Sequence, residues 1–291
     1  MSSLFALQVV INGVLLGGIY GLSALAFSLI WGVMNIINLA HGVLILMGSY
    51  VAWELWSRLG IDPFLSVPLN LGLFFLIGYV LQRRLINLVI RAPVFMTLLL
   101  TFGIEYCLIN IAHLIWHADY RMISPEYAGM GVRLEGLTVP YVRLGALAMV
   151  VALSVGLALF MSRTRLGRAI RATAMDLDAA RLMGVRPAVV YAVTMGLGAA
   201  LAGTAGSLYS VSYPFTPDMG GLLTLKSFVV TVLGGLGNMY GPLLGGLVLG
   251  LVESASAVAL GAGWVNAVSF GLLVAVLLVR PTTGLFGRKG W

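Results

Sequence analysis

Charge is what this sequence has least of. Lys and Arg number 17 and Asp and Glu 10, together 9% of 291 residues, against about 25% in water-soluble domains. No Asp, Glu, Lys or Arg precedes Glu54, and 60% of the chain is apolar. That shortage excludes a soluble enzyme, a disordered chain and, despite the basic excess, a nucleic-acid-binding domain. Cysteine is almost missing too: Cys107 stands alone, which excludes an intrachain disulfide and a thiolate metal site. The start Met1-Ser2-Ser3-Leu4 lacks the basic residues of a cleaved signal, so the first apolar run is expected to be retained structure.

What remains is apolar runs of membrane-crossing length, roughly 17 to 25 residues each. They predict helices near 7–30, 36–56, 62–82, 93–117, 141–162, 188–211 and 264–280. Residues 222–260 are too long for one span and are interrupted by Gly234, Gly235, Gly237, Asn238, Gly241 and Pro242, which predicts two short elements around a break. The expectation is an all-α polytopic membrane protein of eight or nine transmembrane helices, with broken or short helices near 35–42 and 234–242, in one domain over 1–291.

Basic residues collect at Arg83, Arg84 and Arg91, in the loop 163–187, and at Arg280, Arg288 and Lys289. Short cytoplasmic loops are enriched in Lys and Arg, so all three places are read as cytoplasmic, and parity then puts the N-terminus outside. The loop 118–140, with Asp119, Arg121, Glu126, Arg133 and Glu135, is balanced in charge and reads as the largest external loop. Glycine is abundant, 37 residues, and spacings such as Gly17-x-x-x-Gly21, Gly241-x-x-x-Gly245 and Gly246-x-x-x-Gly250 suit close helix packing in lipid.

Two segments break the apolar pattern. Asn35-Ile-Ile-Asn38-Leu-Ala-His41-Gly42 puts polar side chains at the head of a helix. Either Asn35 or Asn38 caps that helix and a backbone carbonyl satisfies His41, or a broken helix exposes polar groups to a central pathway. Gly234-Gly-Leu-Gly237-Asn238-Met-Tyr-Gly241-Pro242 is the second break, and paired interruptions point to a translocation site. Glu105, Lys226 and Glu253 fall in or near spans. Each costs about 2.5 to 3.5 kcal/mol at a helix centre, so each must face protein or water, as an interhelical pair or as lining of a path.

The loop 163–187 carries six arginines and encodes a short amphipathic helix. Thr173 or Asp176 can cap it, Asp176 and Asp178 suit its positive end, and Gly184 and Pro187 can stop it. A helix this short is marginal unless docked, and Ala179, Ala180 and Gly184 offer a small face for a groove. Contact of the arginines with anionic lipid headgroups is the plainer reading. Asp178-Ala179-Ala180-x-x-x-Gly184 resembles, with Asp for the usual Glu, the EAA-type loop by which permeases of bacterial ABC importers grip their ATPase. In company with Ile36-Ile-Asn38-Leu-Ala-His41-Gly42, Arg163-Thr-Arg-Leu-Gly-Arg-Ala-Ile-Arg171-Ala-Thr-Ala and Val232-Leu-Gly-Gly-Leu-Gly-Asn238, it makes the chain similar, from about residue 10 to 284, to permeases of the high-affinity branched-chain amino acid (LivH-type) importers. Leu39 stands where that family often has Phe, Met239-Tyr240 where it often has a small residue and Pro, and Glu105 where it is usually apolar.

The resemblance implies a permease domain over 1–291 in the bacterial inner membrane, paired with a second homologous permease, two cytoplasmic ABC ATPases and a periplasmic solute-binding protein, with ATP hydrolysis on the partner driving alternating access. It implies ATPase coupling through Arg171, Asp176, Asp178, Ala179, Ala180 and Gly184. Asn35, Asn38, His41, Gly42, Glu105, Lys226, Asn238 and Glu253 are the candidates for the path. The chain carries no phosphate-binding Gly-x-x-x-x-Gly-Lys-Ser/Thr loop and no cofactor motif, and His41, His113 and His117 lack the partners of a triad or a zinc site. A conduit is expected, not a catalyst. The alternatives are an ion-coupled transporter using Glu105 and Glu253, or a related permease for urea, amides or aromatic acids.

Overall fold

The computed structural model describes residues 3–90, 92–134 and 137–279. Arg91, Glu135, Arg280, Arg288 and Lys289, used above to read orientation, lie outside them. The helices are α1 (Ser3–Met34), α2 (His41–Leu59), α3 (Ser66–Leu81), α4 (Val94–Trp116), α5 (Tyr141–Arg163), α6 (Arg165–Met175), α7 (Leu177–Leu182), α8 (Pro187–Ser210), α9 (Met219–Gly234), α10 (Gly241–Ala259) and α11 (Val265–Val279). α3 continues through a π-helical turn, Gln82–Ile86, to Val89. Among the described residues seven helices are long and apolar enough to cross a membrane, which fits the polytopic all-α architecture expected but not by itself the count of eight or nine. α2, with His41 at its head and Glu54 and Arg58 near its end, and α9, only 16 residues long, are not among those seven. The stretch 222–260 divides at the glycine break, as its length required.

α1 and α8 form the centre. The most apolar window of α1 is 89% buried and that of α8 78%, against 17% for α4 and 11% for the last span. Apolar side chains such as Leu99 and Phe102 of α4 and Leu278 of α11 are exposed on the outside, where lipid or another subunit covers a membrane protein. α1 and α10 run antiparallel along a glycine seam. A Cβ on Gly17 would lie 2.6 Å from the Gly246 carbonyl oxygen, and one on Gly246 2.4 Å from the Gly21 nitrogen. Gly250 meets Gly13 and Gly17 in the same way, while Gly241 and Gly245 press on Gly234 and Val230 of α9. Without side chains between them the backbones touch, which supplies the packing energy that lipid does not.

The loop 118–140 contains a hairpin, β1 (Gly131–Leu134) against β2 (Leu137–Pro140), of which the sequence reading gave no sign. Two strands of four residues are too short for period-2 patterning to separate them from loop. The loop is anchored: Arg121 exchanges backbone hydrogen bonds with Phe215 at 3.0 and 2.9 Å, its guanidinium stands 4.1 Å over Trp53, and Trp116 donates to Glu54 at 2.7 Å. The Tyr127 hydroxyl donates to Asp62 at 2.5 Å, and burial together with that carboxylate pushes its phenol above the usual range.

Candidate functional site

Asn35 takes φ 52°, a left-handed turn that Asn tolerates better than most residues. The chain then doubles back. Asn35 N still bonds Trp31 O on α1 at 2.8 Å, whereas His41 Nε2 lies 3.0 Å from Ser23 O, so the contact point on α1 moves back eight residues, roughly 12 Å at about 1.5 Å per residue. His41 is fully buried, edge-on to Phe27 at 5.2 Å. Neither Asn35 nor Asn38 caps α2, correcting that reading: its N-cap is Ala40, without a side-chain cap. The free backbone groups are met from other helices. Thr224 of α9 accepts from Gly42 N at 2.8 Å and donates to Leu39 O at 2.9 Å; Thr101 of α4 accepts from Leu39 N at 3.2 Å and lies 3.3 Å from Ile37 O. Gly42 is needed for this closeness, since a Cβ there would sit 2.0 Å from Gly220 O. Asn38 is buried with its Nδ2 3.9 Å from Met195 Sδ, and Asn35 is exposed.

Lys226 and Glu253 form an interhelical pair, one of the two arrangements their cost allowed. Lys226 Nζ lies 2.9 and 3.0 Å from the two Glu253 carboxylate oxygens. Tyr20 of α1 donates to Glu253 at 2.9 Å and Ser269 of α11 at 2.6 Å, while Lys226 also donates to Tyr20 at 2.9 Å. Four helices are tied at one buried carboxylate whose oxygens are all engaged, which is the condition under which a buried ion pair is tolerated. Glu105 is not in that cluster. It is buried on α4, one turn from Thr101, facing Gly221, where a Cβ would meet its Oε1 at 3.5 Å.

The second break closes on itself. Asn238 Oδ1 accepts from Tyr240 N at 3.0 Å and Gly241 N at 3.3 Å, and its carbonyl accepts from Ser28 Oγ at 2.9 Å. The two breaks flank α9: the first packs on its beginning at Gly220 and Thr224, the second follows its last residue.

The connection between α5 and α8 holds two helices where one was expected. Thr164 caps α6 by accepting from Gly167 N at 2.9 Å. Asp176 caps α7, accepting from Asp178 N and Ala179 N at 2.9 Å. Thr173 caps neither; it is buried and donates to Ala169 O at 2.8 Å. Asp178 pairs with Arg181 at 3.0 Å, Arg171 is half-buried, and Gly184 stops the helix at φ 81°. The expected small outward face is corrected: Ala180 is 3% exposed and turned into its own chain, whereas Leu182 and Met183 are 88% and 84% exposed. Ala179 and Gly184 are exposed beside them. Helical periodicity could have marked Leu182, which is two residues from Ala180 and so on the opposite side of the helix, whereas Met183 follows the last helical residue.

Two polar cavities stand at opposite ends. One of about 840 Å³ lies between the end of α1, the end of α3 and α6–α8, with Asn35, Asn87, Thr173 and Arg181 in its wall. The other, about 560 Å³, is bounded by Tyr20, Arg143, Tyr213, Lys226 and Glu253. Over residues 9–277 the chain matches the family described as branched-chain amino acid transport system, permease component. The chain belongs to that family. Among its relatives are the high-affinity branched-chain amino acid transport system permease protein BraD of Pseudomonas aeruginosa, 34% identical over 97% of this chain and 96% of the relative, and LivH of Escherichia coli K12, 34% identical over 98% and 96%. A probable LivH of Methanocaldococcus jannaschii is 28% identical over 92% and 89%. No solved structure matches. The chain is thus a multi-pass membrane transport subunit. Reading the sequence missed Thr101 and Thr224, since a threonine in an apolar span carries no local mark; it also passed over Leu182 and Met183.

Proposed function

We propose that the chain is the permease subunit of a binding-protein-dependent ABC importer. It carries branched-chain or other apolar amino acids across the bacterial inner membrane, driven by ATP hydrolysis on a partner subunit. The observation behind this reading is membership of the permease family over nearly the whole chain, joined to a capped two-helix connection that leaves Leu182 and Met183 uncovered. A second homologous permease, two cytoplasmic ATPases and a periplasmic solute-binding protein complete the importer. Loop 163–187 is its cytoplasmic coupling element and loop 118–140 faces outward. With α2 and α9 both crossing, the count is nine and the N-terminus is outside.

In this mechanism the ATPase pushes on α7 through Leu182, Met183, Ala179 and the Asp178–Arg181 pair. Asp176 and Gly184 fix its two ends, and Arg171 lies on α6 behind it. Arg181 and Asn35 share one cavity wall, so motion of α7 reaches the first break directly. Asn38, His41, Gly42 and Asn238 hold that break and α9 beside the path, with Glu105 facing α9 at Gly221. The two permease states differ in how they fit the ATPase, which gives the push thermodynamic meaning. An ion-coupled carrier is less favoured: its acid at Glu253 would have to shed Lys226, Tyr20 and Ser269 at each turnover. Uptake of L-leucine in cells lacking the gene, restored by the chain only together with its ATPase, tests the proposal. Restoration without any ATPase would overturn it.

A further inference from the structure

The cavity of about 560 Å³ at the end of the molecule away from α6 and α7 has a chemistry that packing does not call for. Its floor is the Lys226–Glu253 pair, where the carboxylate already accepts from Lys226, Tyr20 and Ser269 and has nothing left to offer. Arg143, on the first turn of α5, is different. Its Nη1 donates to Asn12 Oδ1 at 3.3 Å and its guanidinium stands 5.4 Å from the Tyr213 ring centre. Among the described residues no carboxylate pairs with it. A guanidinium has five donors in a planar fork that matches a carboxylate, so most of its capacity is unused while it lines a cavity. Aliphatic side chains share the lining: Leu16, Met219, Ala257 and Val265.

We infer that this cavity is a solute vestibule within the single permease chain, in which Arg143 takes the carboxylate of an apolar amino acid and the aliphatic lining takes its side chain. It rests on the amino-acid cargo proposed above. Glu253 does not hold the ammonium, because its lone pairs are engaged; the carboxylate is therefore the group recognised. A ligand lacking it leaves Arg143 unmatched, and a carboxylic acid lacking the ammonium still binds.

The test uses the assembled importer in cells, with Cys107→Ser and Ala257→Cys placing one thiol on the vestibule wall. The rate of modification by an external membrane-impermeant thiol reagent is read with L-leucine, 4-methylpentanoate or leucinamide present. L-Leucine and 4-methylpentanoate are expected to slow labelling, leucinamide not. Arg143→Gln should raise the L-leucine concentration for half-protection at least about tenfold, as loss of a charged hydrogen bond implies, and Arg143→Lys should recover part of it. Protection by leucinamide equal to that by L-leucine, or equal protection in Arg143→Gln, overturns the assignment. L-Leucine uptake measured in parallel separates the two readings. Uptake without protection overturns the vestibule and leaves the cargo standing; absence of both overturns the cargo and the vestibule with it.

Discussion

The first break and the α6–α7 connection are both irregular stretches between long helices, and they are finished in opposite ways. Around Asn35–Gly42 every broken backbone group named above is answered from elsewhere in the same chain, by Thr101 and Thr224, and His41 reaches Ser23. In the connection the caps are equally complete, with Thr164 and Asp176 in place, yet Met175, Leu182 and Met183 stand 74 to 88% exposed. In its backbone the first region is closed within the chain, while Asn38 Oδ1 and His41 Nδ1 are buried without a partner among the described residues. The second is complete in hydrogen bonds and incomplete in burial, which is what a segment ordered for a partner looks like. Variants of the first should therefore cost stability, and variants of the second should cost assembly.

The largest effect is expected in the bundle interior next to the first break. Lys226→Met leaves Glu253 buried without its cation, a loss of about 3 to 5 kcal/mol; adding Glu253→Gln should recover much of it, as thermal unfolding in detergent would register. If the single variant unfolds like the parent, the quartet is not a lock. Gly42→Ala follows, with an expected loss of about 3 kcal/mol, because its Cβ would meet Gly220 O at 2.0 Å. Thr224→Val orphans Gly42 N and Leu39 O and should cost about 2 kcal/mol; an unchanged melting temperature would mean the break is satisfied in some other way. Asn238→Ala removes the side-chain acceptor of Tyr240 N and Gly241 N and should cost only about 1 kcal/mol. In the connection, Leu182→Ser with Met183→Ser should change stability by less than about 0.5 kcal/mol.

How much of this could be read beforehand follows the same division. The spans, the split of 222–260 and the glycine seam were legible, because run length and small-residue spacing are local properties of the sequence. So was the need to shield Lys226, Glu105 and Glu253, which follows from the cost of a charge in lipid, although nothing local chose between a pair and a path or said that Glu253 and not Glu105 would meet Lys226. The capping of the first break was not legible: Asn35 and Asn38 look like caps in sequence, and the residues that do the work are threonines 60 and more positions away. The outward face of α7 was misjudged for a related reason. Small residues suggested a partner's groove, but in the fold Ala180 is small because its own chain packs there.

The most direct measurement of the central claim places charge where only a partner would notice. Leu182→Asp with Met183→Asp lies on the exposed face of α7, away from the core, so the chain should insert, fold and pair with the second permease as the parent does. Purified from cells expressing the whole importer, it should lose most of its ATPase and most L-leucine uptake, while Ala180, untouched, keeps α7 seated. Full ATPase retention and normal uptake in that variant would contradict the account, since the exposed end of α7 would then not be where this permease is driven.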